Sequence, residues 1–252
     1  VFPGIGTLVN VATVLLGTVI GVLVGHRLSH RTRDVVTDAL GLVTLLIAGT
    51  AAMAVGDAAL VDAVGSSAPM LIVLASLVLG GVVGSLLGIE DRLERFGGWL
   101  QTRLQARAGR RGDGAERQRF IEGFLTASLV FCVGPLTILG SLNDGLGNGA
   151  DQLFLKAALD GFAAIAFAAS FGWGVGASAI ALVAVQGSLT VVGMLLGDVL
   201  PDAHVAALGA TGGLMLVGVA LRLLRIKQLP VGDLLPGLVL APLLTALVIA
   251  LR

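Results

Sequence analysis

The basic residues of this chain fall between its apolar runs and almost nowhere else. Lys and Arg total 16, and 14 of them lie in three segments, Arg27 to Arg33, Arg92 to Arg119 and Arg222 to Lys227. The other two are Lys156 and Arg252. Eight apolar stretches flank these segments, each close to the roughly 20 residues a helix needs to cross a bilayer. Cytoplasmic loops collect Lys and Arg. The pattern therefore predicts a polytopic membrane protein with one orientation.

Composition supports this reading. Hydrophobic residues make up 56% of the chain and charged residues 13%, against about 25% charged in soluble domains. In lipid the backbone must satisfy its own polar groups, which leaves helices or closed barrels. The apolar runs are too continuous for the alternation of a barrel strand. The expected fold is all-α, a single polytopic membrane domain over residues 1–252. The 37 glycines suit helices that approach closely in lipid. The net charge of zero says little, because the charges are segregated. Cys132 is the only cysteine and lies in an apolar run, so it reads as a packed thiol. No basic region precedes the first run, which reads as a retained helix and not a signal peptide.

The expected spans are 5–25, 35–54, 68–88, 120–141, 155–173, 176–197, 204–222 and 231–251. The loops with Asp57 and Asp62, with Asn143 to Asp151 and with Asp198 to Asp202 carry acids and no Lys or Arg apart from their flanks. They belong outside, with both termini. Residues 89–119 form the one long polar stretch. Leu93, Phe96, Trp99, Leu100 and Leu104, with charges between them, predict an amphipathic cytoplasmic helix. Ala108 to Arg119 reads as an Arg/Gly linker. The segment either contacts anionic lipid headgroups or serves as an anchor; no nucleic-acid partner is expected.

Sliding the chain against itself by 172 residues aligns Thr18-Val19 with Thr190-Val191, Gly21 with Gly193, Leu23 with Leu195 and Gly25 with Gly197. Leu28 then meets Leu200, and Gly41-Leu42 meets Gly213-Leu214. With a small gap, Pro69 matches Pro236. The spacing predicts an inverted-topology repeat, spans 1–3 against 6–8, around central spans 4 and 5. Transporter sites tend to form at such repeat interfaces.

The polar chemistry concentrates in those central spans. Gly134 and Pro135 break the regularity of span 4, ahead of Thr137, Ser141, Asn143 and Asp144. A broken helix exposes carbonyls and amides that must face protein or a wet cavity. The alternative is a simple kink followed by an Asn-Asp-Gly turn. Lys156 and Asp160 are four apart and share a helix face. Asp160 either binds a cation or carries a proton, or forms a local ion pair with a snorkelling Lys156. Gln186 lies near the middle of span 6. The repeat places it on a face similar to that of Asn10, where buried amides either line a path or join helices.

Other features read as structural. The ladders Gly17-Gly21-Gly25 and Gly80-Gly84-Gly88 are close-packing surfaces, with a homodimer contact as the sharper alternative. His26, His30 and His204 lie at helix ends with no carboxylate partner in sequence, so no metal or other cofactor is expected. No Ser-His-Asp or HExxH pattern, Walker loop or CxxC occurs, and no enzyme is expected. An intramembrane enzyme would need Asp144, Asp160 and His204 to converge.

Several of these stretches resemble one family. They are Gly6-Thr-Leu-Val-Asn10, Gly41-Leu-Val-Thr-Leu-Leu46, Gly134 to Gly145, Lys156-Ala-Ala-Leu-Asp-Gly161, Gly174-Val-Gly-Ala-Ser178, Gln186-Gly-Ser-Leu-Thr190 and Thr211-Gly-Gly213. Together they resemble the YdfK/YqgA-type family of bacterial inner-membrane proteins of unknown function, across nearly the whole chain. The resemblance implies a bacterial inner-membrane location and supplies no binding residues. The reading of the residues themselves is a transporter or channel for a small ion, a cation favoured, or a small polar solute. Its site would hold Asp160, Lys156, Gly134, Pro135, Thr137, Ser141, Asn143, Asp144, Gln186 and Asn10. Asp160→Asn is expected to abolish transport and leave the fold intact. The rival is a non-transporting scaffold or sensor that uses residues 89–119.

Overall fold

Glycine and proline set most of the helix ends. In a computed structural model of the chain, residues 2–25, 27, 29–108, 114–132, 135–147, 149–196 and 201–252 are described. Among them there is no strand. The helices are α1 (Ile5–Gly25), α2 (His30–Ala52), α3 (Ala58–Val64), α4 (Ala68–Leu87), α5 (Ile89–Ala108) and α6 (Gly114–Cys132). They continue as α7 (Pro135–Leu146), α8 (Asp151–Phe171), α9 (Gly174–Ala177), α10 (Ala179–Leu196), α11 (Asp202–Leu223) and α12 (Pro236–Leu251). Short 3-10 turns cover Met53–Gly56 and Val231–Leu234. Gly88 ends α4 in the left-handed region, φ 59° and ψ 49°, which a residue with a Cβ adopts only at a cost.

Among the described residues, seven helical segments are long and apolar enough to cross a membrane. The pair α6 and α7 is apolar enough when taken together, and its axes are inclined by 76°, the bend of a broken span or a re-entrant loop. The irregularity expected within span 4 (120–141) is thus a break between two helices and not a mild kink. The break has a covalent cause: Pro135 has no N–H to give to the carbonyl of Phe131, four residues earlier. The Thr137 hydroxyl donates to that carbonyl instead, at 3.1 Å. Helix α6 begins at Gly114, so residues 114–119 of the expected linker are its first turns.

Apolar side chains face outward along most spans. On α4, Met70, Leu71, Leu74, Val78, Val82 and Leu86 are all more than half exposed, a surface that water would not tolerate and a bilayer matches. Helix α11 is the exception: most of its residues are buried, and it forms the centre of the bundle. Small residues such as Ala206, Ala207, Gly209, Ala210, Gly212 and Gly213 bury its sides.

Helices pair through glycine. A Cβ on Gly17, Gly21 or Gly25 of α1 would strike the carbonyl oxygens of Gly161, Ile165 or Ala169 on α8. The offset stays constant, so α1 and α8 run parallel. Gly193 of α10 lies against the carbonyl of Leu142 on α7, and Gly145 of α7 against that of Thr190 on α10. Gly213 of α11 meets the backbone of Ala51 and Ala52 on α2. Gly80 of α4 meets the backbone of Gly237 on α12, and Gly237 in turn meets Ser76. The ladder Gly17-Gly21-Gly25 therefore faces α8, while Gly80 and Gly84 of the second face residues 233–237 of the same chain.

The amphipathic helix α5 folds back onto α6. Leu100 packs with Phe120, Ile121, Phe124 and Leu125, while Phe96 stacks on Trp99 at 5.7 Å between ring centroids. A polar clamp holds its start. Arg222 donates to Glu90 Oε1 at 2.5 Å, the Gly232 N–H to Glu90 Oε2 at 2.6 Å, and the Glu90 N–H to Asp233 Oδ1 at 2.9 Å.

Candidate ion or solute site

Helix α8 carries the buried charges. Lys156 and Asp160, one turn apart, form an ion pair at 2.6 Å with side chains 8% and 9% exposed. Such burial requires pairing, since desolvation of a lone charge costs several kcal/mol. The glycine seam brings Asn10 of α1 to the same carboxylate, and Asn10 Nδ2 donates to Asp160 Oδ2 at 3.0 Å. An ionised carboxylate only accepts. The amide must therefore turn its NH2 to Asp160 and its oxygen away. Asn10 Oδ1 is buried and has no hydrogen-bond partner in the protein.

Helix α7 adds a second carboxylate. Asp144 Oδ2 accepts the N–H of Gly6 at 3.1 Å, which satisfies one of the amides left open at the start of α1. Ser141 stands three residues earlier on the same face. It is fully buried, and its hydroxyl has no partner. Thr7, beside Gly6 and one turn from Asn10, is buried with an unpartnered hydroxyl as well.

Helix α10 closes the set. It follows α8 after the turn at Gly172 and Trp173 and the short helix α9. Gly176 lies against Thr18. Gln186 is fully buried, and neither its Nε2 nor its Oε1 has a partner. Among the described residues seven buried side-chain atoms lack a partner. All but those of Ser128 and His204 belong to Thr7, Asn10, Ser141 and Gln186.

The structure brings together only part of the expected set. Asn10, Lys156 and Asp160 are in direct contact, and Asp144 and Ser141 share the neighbouring face of α7. Thr137 is used by the break itself. Asn143 points elsewhere: its amide donates to Gln152 at 3.2 Å on the exposed side. Gly134 lies outside the described residues, as do His26 and the side chain of Pro135. Thr7 was not expected, although its position one turn before Asn10 signals it. Among the described residues no three of His, Cys, Asp and Glu gather as metal ligands.

These features define a polytopic α-helical membrane protein with buried, partly unsatisfied polar side chains on helices α1, α7, α8 and α10. The chain belongs to the family described as "Protein of unknown function (DUF554)", which it matches over residues 5–246. It is 30% identical over 242 residues to "Uncharacterized protein YqgA" of Escherichia coli (strain K12), covering 96% of each chain. It is 26% identical over 237 residues to "Uncharacterized membrane protein YdfK" of Bacillus subtilis (strain 168), covering 94% of this chain and 93% of that protein. No solved structure matches.

Proposed function

We propose that this protein is a transporter or channel, and not an enzyme, that passes a small ion or small polar solute through the cluster at Asn10, Ser141, Asp144, Asp160 and Gln186. One observation carries the reading. Gln186 is a fully buried amide with no partner for either polar atom, and such a group costs about 1–3 kcal/mol. A purely structural site gains nothing from it, whereas a binding site needs it. A cation is favoured. The buried set counts two carboxylates, Asp144 and Asp160, to one ammonium, Lys156, and the unpartnered atoms include four oxygens, on Thr7, Asn10, Ser141 and Gln186. Neutral and anionic oxygens suit hard cations.

The pairing of helices supports the inverted repeat that many transporters share. Exchanging spans 1, 2 and 3 with 6, 7 and 8, and span 4 with 5, maps α1 on α8 onto α10 on α7. The same exchange maps α2 on α11 and α4 on α12 onto themselves. The end of the bundle rich in Arg is the cytoplasmic one under the positive-inside rule, in the inner membrane of a bacterium with both termini outside.

The test is flux into proteoliposomes of Na⁺, K⁺, H⁺, Cl⁻ and small amino acids, comparing the wild type with Gln186→Leu. Selective flux is expected, lost in the variant, with a melting temperature equal to or above that of the wild type. Unchanged flux in Gln186→Leu would sink the site. No flux from folded wild type would move the function to residues 89–119.

A further inference from the structure

The Lys156 ammonium lies on Asp160 Oδ2 in the interior, and a second oxygen close by goes unused. An ammonium has three donors, and among the described residues Asp160 is its hydrogen-bond partner. Asn10 Nδ2 donates to the same Oδ2 at 3.0 Å. The Oδ1 of that amide is buried without a partner. Bonded to the same carbon as Nδ2, it stands within about 5 Å of Asp160 Oδ2. One hard cation of calcium's size bridges two oxygens so spaced, at roughly 2.3–2.6 Å from each. The lysine ammonium, held by its stem, meets one of the two and not the other.

Charge fixes the valence. An uncompensated charge is costly in the interior, so Asp160 takes one positive charge at a time. A monovalent cation replaces the ammonium with no net change, and a divalent one leaves a charge over. Asp144 has its own compensation in the Gly6 N–H, at the positive end of α1. The end of α6 adds to the preference for positive charge. Its last residue, Cys132, feels the charges of both Lys156 and Asp160, so this helix ends close to the pair, and a helix C-terminus carries about half a negative charge.

The lysine has room to leave. Helix α8 begins at Asp151, five residues or about 7.5 Å of rise before Lys156. A flexible four-carbon stem lets its ammonium snorkel toward that end. Resting on the reading of these residues as an ion path, we propose that Asp160 and Asn10 Oδ1 form a monovalent-cation site, which the Lys156 ammonium fills in this conformation and which the cation enters by exchange with it. The lysine moves as an ammonium, and no proton is transferred. Lys156 is thus a tethered competitor, at an effective concentration of roughly millimolar order, and it holds the affinity of the site down so that the cation can leave.

Lys156→Met removes the competitor and leaves both oxygens. Its melting temperature in detergent would be followed against sodium, potassium and magnesium chloride, with choline chloride holding the ionic strength constant. Sodium or potassium is expected to raise it above the value in choline, which is too large for the site. The wild type is expected to need at least about tenfold more of the same cation for half its shift. Lys156→Met/Asn10→Leu, which lacks Oδ1, is expected to lose most of the response. Equal melting temperatures in sodium, potassium and choline would overturn the proposal. So would a larger rise with magnesium, or a wild type as sensitive as the variant. If Lys156→Met does not fold, binding of sodium-22 and rubidium-86 to the wild type takes its place. Asn10→Leu must then weaken that binding about tenfold, and unchanged or undetectable binding counts against the site. Flux separates this inference from the reading it rests on. Flux without a cation-specific shift in Lys156→Met keeps the transporter and removes the exchange, whereas a cation-specific shift without flux keeps the site and removes transport.

Discussion

Asn10 and Asp160, 150 positions apart in sequence, share one buried hydrogen bond from Nδ2 to Oδ2 at 3.0 Å. The same Oδ2 receives the Lys156 ammonium at 2.6 Å. One carboxylate oxygen thus ties α1 to α8 and neutralises the lysine that α8 carries. Removing either charge leaves the other uncompensated in the interior.

Stability of the ion pair follows from that. Asp160→Asn and Lys156→Met are each expected to destabilise the protein by about 3–5 kcal/mol. The double variant Lys156→Met/Asp160→Leu is expected to regain most of the loss, short of the Asn10 hydrogen bond. Thermal unfolding in detergent of the two single variants and the double variant tests this; additive losses would show that the charges act independently. The expectation from sequence that Asp160→Asn leaves the fold intact is revised by this contact.

The break between α6 and α7 depends on one hydroxyl. Thr137→Val leaves the Phe131 carbonyl unsatisfied and is expected to cost about 1 kcal/mol or somewhat more. Thr137→Ser keeps the donor and should unfold at the wild-type temperature. Equal melting points for wild type and Thr137→Val would show that the carbonyl finds another partner.

The seam between α1 and α8 tolerates no added carbon. A Cβ at Gly21 would meet the Ile165 carbonyl and lie 2.8 Å from the Ala168 Cβ, so Gly21→Ala is expected to lose about 1–3 kcal/mol. Gly187 of α10 has nothing within 4 Å of such a carbon. There Gly→Ala should stabilise by about 0.5–1 kcal/mol through helix propensity. Melting temperatures shifting in opposite directions are the expected result.

The clamp at Glu90 fastens α5 to the bundle. Its side chain is 12% exposed and that of Arg222 14%. Glu90→Gln removes the counter-charge of Arg222 and is expected to destabilise by about 3 kcal/mol. Hydrogen exchange should quicken at the amides of α5 and of 231–234 before the rest of the chain. Uniform exchange across all helices would mean that α5 does not open separately.

The sequence made the spans and the local pairs legible, because lipid allows few alternatives. Long apolar runs must be helices, and Lys156 and Asp160 are four apart, so their contact needs no knowledge of the fold. The lack of a donor at Pro135 made the break in span 4 legible too. Contacts across the bundle were not legible. Gly6 and Asp144 are 138 apart, and Glu90 and Arg222 are 132 apart. No helical period links such residues; only the glycine seams, which set the distance between helices, bring them together. Asn143 shows the opposite error. It stands next to Asp144 in sequence but on another helix face, so proximity along the chain misplaced it.

The 76° break between α6 and α7 also has an electrical consequence. Aligned peptide dipoles leave about half a negative charge at the C-terminus of one helix and half a positive charge at the N-terminus of the next. Here Phe131, in the last turn of α6, is fully buried, so that helix does not end at a surface where water and salt would screen it. The backbone itself thus builds a local field into the apolar interior. It needs no titratable group, so it is the same at every pH at which the fold survives.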